Sequence, residues 1–273
     1  MSLEIKYLGK LGNNLFQYCV SRLYAEKHEL IIETDLPKRI HFIEFIEYKQ
    51  PILKPLIKNK QIMIRDMHFN LQTCSFPYYG NRRYKFRGYY QNSLFLNNNS
   101  DRIMEYFKPY FSKKKIIKNK KDILVLIRLG DDFNHFGDSE IIHPSYYTNI
   151  LDKEVFNKCF IYLYPIKYQY TNVYLSYFKK YNPILIEQKD IDTNFSIPFY
   201  YDKIICSNST FHWWGCFLSN SSTIYTPDKF GLFGIDELKK HNDYNIDMWN
   251  IKNKSIKSES KFVDITKLLV NVH

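Results

Sequence analysis

Four short stretches of this 273-residue chain hold residue types that handle anions or metals. In the first, Arg128 follows the apolar run Leu124-Val125-Leu126-Ile127 and precedes Leu129-Gly130-Asp131-Asp132. An arginine at the carboxyl end of a buried strand can grip a phosphate through two parallel N–H donors. An ion pair with Asp131 or Asp132 accounts for it equally. The second stretch is Gly9-Lys10-Leu11-Gly12-Asn13-Asn14. A glycine turn before a helix exposes backbone N–H groups at the positive helix end, which suits phosphate. It lacks the dinucleotide spacing G-x-G-x-x-G and the G-K-[ST] of a P-loop, and a tight turn without a ligand also explains it. The third is Ser207-Asn208-Ser209-Thr210-Phe211-His212-Trp213-Trp214-Gly215. Its hydroxyls at a helix start suit phosphate oxygens, while Ser209 or Thr210 also reads as an N-cap and the Trp pair as core. The fourth, Asp190-Ile191-Asp192, has the D-x-D form of metal-dependent transferases and sits in a polar stretch read as a loop.

The elements that must position these residues follow from periodicity. Leu3–Leu8 alternates as a strand, Asn14–Lys27 has helical spacing, and Leu30–Thr34 is a second strand: a βαβ unit. Gln61–Arg65 and Tyr84–Arg87 read as strands, and Leu94–Phe107 as helix interrupted at Asn97-Asn98-Asn99. The basic stretch Lys113–Lys121 has little pattern and marks a boundary, giving domains 1–118 and 119–273. Beyond it come strands at Asp122–Ile127, Cys159–Tyr164, Ile184–Glu187, Ile204–Ser207 and, closing the sheet, Thr223–Tyr225. Helices are expected at Ser145–Leu151, Thr171–Tyr181, Phe211–Leu218 and Phe262–Val270, the last after a flexible connection at Lys252–Ser260. Strands alternating with helices in both halves predict an α/β class with parallel sheets.

Composition narrows the function classes. Hydrophobic residues are 45% and charged residues 25%, which is globular rather than disordered. No apolar run approaches the roughly 20 residues of a membrane helix. The N-terminus shows no basic region followed by an apolar one, and the five cysteines have no C-x-x-C spacing. The expectation is a reduced, cytoplasmic protein without a transmembrane segment, with peripheral membrane contact left open. The net charge of +11 favours anionic partners. Nucleic acid would require exposed stacking aromatics among the basic residues, whereas most aromatics here fall on apolar positions, so nucleic acid is not expected.

The same stretches carry a resemblance. Gly9-Lys-Leu-Gly-Asn-Asn-Leu-Phe-Gln-Tyr18 is similar to G-x-L-G-N-Q-x-F-Q-Y, the opening motif of the α-1,2-fucosyltransferases. Phe86-Arg-Gly-Tyr-Tyr-Gln-Asn92 resembles their G-Y-[FW]-Q-S segment. The stretch around Arg128 resembles H-x-R-R-G-D, and His143-Pro-Ser-Tyr-Tyr147 the segment after it. Asn208-Ser-Thr-Phe-His-Trp-Trp-Gly215 is close to N-S-[ST]-F-S-W-W-G. The resemblance implies a GT-B fold, two Rossmann-like domains with the active site in the cleft between them. It implies inverting transfer of L-fucose from GDP-β-L-fucose to a sugar hydroxyl, without a metal or other cofactor. The partners it implies are a nucleotide sugar and a glycan acceptor.

Residue by residue, the resemblance puts Arg128 on the donor diphosphate and Gly12 and Asn13 near the diphosphate or fucose. Asn208, Ser209 and Thr210 would bind the donor at a helix start, with Asp131 or Asp132 holding the guanine, the ribose or the acceptor. Tyr89, Gln91 and His135 would line the acceptor side. Asp131 is the candidate general base, with Asp132 and His135 as alternatives. The chain departs from the pattern at Leu126, where the motif has histidine, and at Leu129, where it has a second arginine. Lys10 or Lys203 is a candidate to replace the lost charge. Tyr164-Pro165-Ile166-Lys167 stands where F-S-D-D is usual. Two alternatives follow: a different nucleotide-sugar donor on the same fold, or a catalytically impaired member that only binds.

Overall fold

Strand β1 (Ser2–Ile5) buries Leu3 and Ile5, and the chain bends at Gly9 into α1 (Leu11–His28). Gly9 has φ +72, a left-handed conformation that costs glycine little, and a Cβ there would overlap the Asn13 side chain. The helix starts at Leu11, so Gly12 lies inside its first turn rather than in the bend. The computed structural model describes residues 1–52, 61–70, 72–129, 140–164, 171–228, 251 and 255–264. The chain divides into two units, Met1–Lys115 and Ile116–His273, each an α/β fold around a parallel sheet.

The first unit continues through β2 (Ile31–Ile32), β3 (Gln61–Ile64), β4 (Arg83–Phe86), α2 (Ser93–Asn98), α3 (Ser100–Tyr106) and α4 (Lys108–Ser112). Its sheet has the order β2-β1-β4-β3, with Leu3 beside Tyr84 and Ile64 beside Phe86. Helix α1 crosses over between β1 and β2, as parallel pairing requires. It also buries a cation. Arg22 donates to the Tyr18 hydroxyl (2.8 Å) and the Ile46 carbonyl (2.6 Å), and lies 3.9 Å from the Tyr106 ring centre. Glu26 closes the network, accepting from Arg22 (3.2 Å), Arg102 (2.8 Å) and the Tyr106 hydroxyl (2.7 Å).

Burial acts to raise the Glu26 carboxyl, but the bonds from Arg102, Tyr106 and Arg22 outweigh it and hold the pKa below the ordinary value of 4.5. A depressed carboxyl contributes stability that is full above its unfolded pKa and is lost as pH falls through the folded one. Glu26→Gln is therefore expected to lower stability at pH 7 by about 1.5–3 kcal/mol, the scale of a charge-assisted hydrogen bond. The gap from wild type should narrow below pH 4.5; thermal melts at pH 7 and pH 3.5 check it.

The second unit comprises β5 (Asn119–Arg128), β6 (Glu140–Ile142), α5 (Ser145–Leu151), β7 (Cys159–Tyr164), α6 (Thr171–Ser176), β8 (Ile184–Leu185), α7 (Ile191–Ser196), β9 (Tyr201–Ile205), α8 (Thr210–Ser219), β10 (Thr223–Pro227), β11 (Ser255–Ser258) and β12 (Phe262–Asp264). The six-stranded parallel sheet runs β11-β10-β9-β5-β7-β8. With only the strands of this sheet numbered, and read from the β8 edge, this is the order 3-2-1-4-5-6 of a Rossmann-type doubly wound sheet. β5 is central and buried from Asp122 to Ile127, which explains its unbroken apolar run. Its Ile123, Val125, Ile127 and Leu129 pack with Tyr146, Tyr147, Ile150, Tyr174 and Phe178. Two of these buried phenols are satisfied by backbone: Tyr146 donates to the Cys206 carbonyl (3.0 Å) and Tyr174 to that of Ile142 (2.6 Å). Trp213 and Trp214 are core, and Gly215 admits the close approach of Pro198, whose Cγ would lie 2.8 Å from a Cβ there.

Three expectations change. The expected connection at Lys252–Ser260 contains strand β11, so Thr223–Tyr225 does not close the sheet; an edge strand of Ser and Lys carries no apolar signal. The expected helix at Phe262–Val270 begins instead as β12, antiparallel to β6, and positions 265–270 lie outside the described residues. Here pairing with β6 overrides the local helical pattern. The helix expected to run to Tyr181 ends at Ser176, with a separate 3-10 turn at Lys179–Tyr181.

Candidate functional site

In open parallel sheets, ligands bind outside the carboxyl ends of strands where the connections diverge to opposite sides. In the second unit that point lies between β5 and β9, neighbours whose registered pairs include Leu124↔Ile204 and Val125↔Ile205. Two of the stretches singled out in the sequence end there. Arg128 is the last residue of β5 and is half-buried. From β9 the chain passes through Cys206, Ser207, Asn208 and Ser209 into α8; all four are buried. Cys206 N–H donates to the Tyr225 carbonyl (2.8 Å), tying this turn to β10.

Ser209 occupies the N-cap position of α8 in extended conformation, but its side chain makes no capping bond. The first N–H groups of a helix have no intrahelical carbonyl. The turn is braced differently: Ser207 Oγ and His212 Nδ1 are 2.6 Å apart. Burial, and then the charge of Arg128, push the His212 pKa down to about 3, so the imidazole is neutral at physiological pH. With Ser207 fully buried, this pair is a structural brace rather than a nucleophile and base. Arg128 and the turn into α8 follow the carboxyl ends of neighbouring strands, and a guanidinium together with a helix N-terminus at one sheet edge is a combination suited to a di-anion.

The first unit has a second polar cluster, at the carboxyl ends of β1 and β4. Gln17 Nε2 donates to the Gly88 carbonyl (2.7 Å), while Gln17 Oε1 accepts from Leu8 N–H (3.0 Å) and Asn14 Nδ2 (3.1 Å). Gln91 Nε2 donates to Asn13 Oδ1 (2.8 Å). The expected Asn13 and Gln91 are thus in direct contact, with Tyr89 on the same loop and partly exposed. Asp66, just beyond β3, accepts from the backbone N–H groups of Tyr89 (2.9 Å) and Tyr90. This clamp holds Tyr90 at φ +54. Burial raises the Asp66 pKa against the opposing pull of those two bonds. Sequence reasoning missed Asp66, although a carboxylate directly after a strand was a usable signal.

Other expected site residues separate from these clusters. Lys203 pairs with register partner Ile123 near the start of the apolar run and donates to Glu154 (2.8 Å) and the Val155 carbonyl (2.9 Å), so it does not replace an arginine at the carboxyl edge. Asp190 is the N-cap of α7, accepting from Thr193 N–H (2.9 Å), which gives the first carboxylate of the D-x-D a capping role. Tyr146 and Tyr147 of the His143-Pro-Ser-Tyr-Tyr segment are core, and His143 Nδ1 lies 2.8 Å from Ser145 Oγ at the start of α5. Asp131, Asp132 and His135 lie outside the described residues. Among the described residues, no three His, Cys, Asp or Glu side chains gather as a metal site, and no helix is long and apolar enough to cross a membrane. Comparison with protein-family models, curated proteins and solved structures found no match.

Proposed function

We propose that this protein is an inverting glycosyltransferase of the GT-B type that moves L-fucose from GDP-β-L-fucose to a sugar hydroxyl, α-1,2 linkage to galactose being the reading. The observation that carries the proposal is that Arg128 and the turn into α8 follow the carboxyl ends of the neighbouring strands β5 and β9, at the divergence point. Together with the motif resemblance, it supports a diphosphate-bearing donor on the second unit. The Asn13–Gln91 cluster and Tyr89 support a hydroxyl-rich acceptor on the first.

In the proposed reaction the acceptor oxygen bonds to fucose C1 as the bond from C1 to the diphosphate oxygen breaks. The acceptor proton passes to a carboxylate, assigned to Asp131, and the electron pair leaves with GDP. Arg128 and the α8 N–H groups hold the charge that builds on the leaving diphosphate, usually the largest catalytic contribution. Asn208, Ser209 and Thr210 complete the donor site.

Thermal shift with GDP, UDP and dTDP, followed by mass-spectrometric detection of fucose transfer with and without chelator, tests this. GDP at about a hundred times its Kd is expected to stabilise the protein by about 2.7 kcal/mol. Transfer should be unchanged by chelator. Preference for UDP or dTDP would reassign the donor, GDP binding without transfer would leave a binding protein only, and chelator-sensitive transfer would overturn the metal-free mechanism.

A further inference from the structure

His212 is a buried polar side chain that neither phosphate binding nor proton transfer has used. It sits in the first turn of α8, five residues after the serine it contacts, so the Ser207–His212 bond spans the N-cap and fastens the turn to the helix. Its ring meets the Tyr162 ring edge-on, with centroids 5.7 Å apart and planes at 75°. Tyr162 is the register partner of Leu126 on β5. Leu126 and Arg128, two apart on a strand, share one face of the sheet. The contacts therefore run from the turn through His212 to Tyr162, and strand register sets Tyr162 beside Leu126, on the face of β5 to which alternation also assigns Arg128. The motifs quoted above carry histidine at 126 and serine at 212; this chain carries Leu126 and His212. The imidazole beside this face is supplied by the helix instead of the strand.

We propose that His212 is a positioning residue of the anion site, setting the start of α8 against Arg128 through Ser207 and Tyr162. As a neutral group it does this without adding a second charge that would have to be buried beside the guanidinium. This deepens the proposed donor site and rests on it.

The test compares His212→Phe, Ser207→Ala/His212→Phe and His212→Asn with wild type. Melting temperature and calorimetric affinity for inorganic pyrophosphate and GDP are measured for each. His212→Phe keeps an aromatic ring but leaves the buried Ser207 hydroxyl unpartnered, so it should melt lower and bind pyrophosphate about tenfold or more weakly. The double variant removes both polar groups and should recover its melting temperature without recovering affinity. His212→Asn, which can still bond Ser207, should recover most of the affinity. If affinity returns with stability in the double variant, or never falls in His212→Phe, the positioning role is overturned. Wild type that binds pyrophosphate but not GDP overturns the nucleotide reading while the His212 comparison stands; wild type that binds neither overturns both.

Discussion

Arg128→Ala is expected to abolish detectable fucose transfer while the protein stays folded. The side chain ends a buried strand yet is itself half-buried, so its removal opens no core cavity. Arg128 ends β5 beside β9, the strand that leads into α8, so it stands at the sheet edge from which α8 starts. A charge-assisted hydrogen bond contributes about 1.5–3 kcal/mol, so ground-state GDP affinity should fall by roughly 10- to 150-fold. Stabilisation of a charge that develops only in the transition state adds to this: losing one such donor lowers kcat by about 10²–10³-fold. Leu129, where the resembling motif has a second arginine, is buried and provides no reserve cation at that position. Arg128→Lys keeps the charge but not the two-pronged geometry and should fall between alanine and wild type. Near-normal turnover in Arg128→Ala, at an unchanged melting temperature, would mean that the donor binds elsewhere.

What could be read in advance depended on the range of the interaction. β5 was legible from Asp122 onward because a strand covered on both faces reads as an apolar run, while its more exposed start at 119–121 reads as part of the basic stretch. Ser145–Leu151 and Cys159–Tyr164 fall where their periodicity placed them, each having one clear buried pattern. β11 was not legible: its Lys257 and Ser258 look like linker, and its one large apolar residue, Ile256, is 47% exposed. Helix α1 begins three residues earlier than its apolar spacing suggested: Leu11 is buried, and the bond from Asn14 N–H to the Lys10 carbonyl (3.0 Å) closes the first turn. Site residues divide in the same way. Arg128 and the Ser207–Thr210 turn stand out because chemistry and strand ends coincide within a few residues. The Gln91–Asn13 bond joins positions 78 apart, and the Asp66 clamp grips a loop 23 residues on. Such contacts exist only once β1, β3 and β4 are in register. His212 was visible as a residue but not as a brace, since its role comes from burial against Tyr162.

Gly88→Ala is expected to damage acceptor use while sparing the donor. A Cβ at this position would overlap Asp66 Oδ2 and lie 2.8 Å from Asp66 Cγ, so either the carboxylate or the 88–90 backbone must move. Either movement breaks the bonds from Asp66 to Tyr89 and Tyr90, and Tyr90 loses what holds it in the left-handed region. The Gly88 carbonyl is also the acceptor for Gln17, so the disturbance reaches α1 and, through Gln91, Asn13. Overpacking of this kind costs about 1–3 kcal/mol, which a folded unit can survive with a lower melting temperature. If the first unit carries the acceptor, KM for the acceptor should rise by about tenfold or more, a near-1.4 kcal/mol loss of binding, while GDP affinity stays within about twofold. Asp66→Ala should give a similar defect. The double variant should be no worse than either single one, because both break the same clamp. Gln91→Ala serves as the milder probe, removing only the Asn13 bond at the edge of the cluster, and should raise KM without moving the melting temperature. Unchanged acceptor KM in both Gly88→Ala and Gln91→Ala, with both proteins folded, would remove the first unit from acceptor recognition.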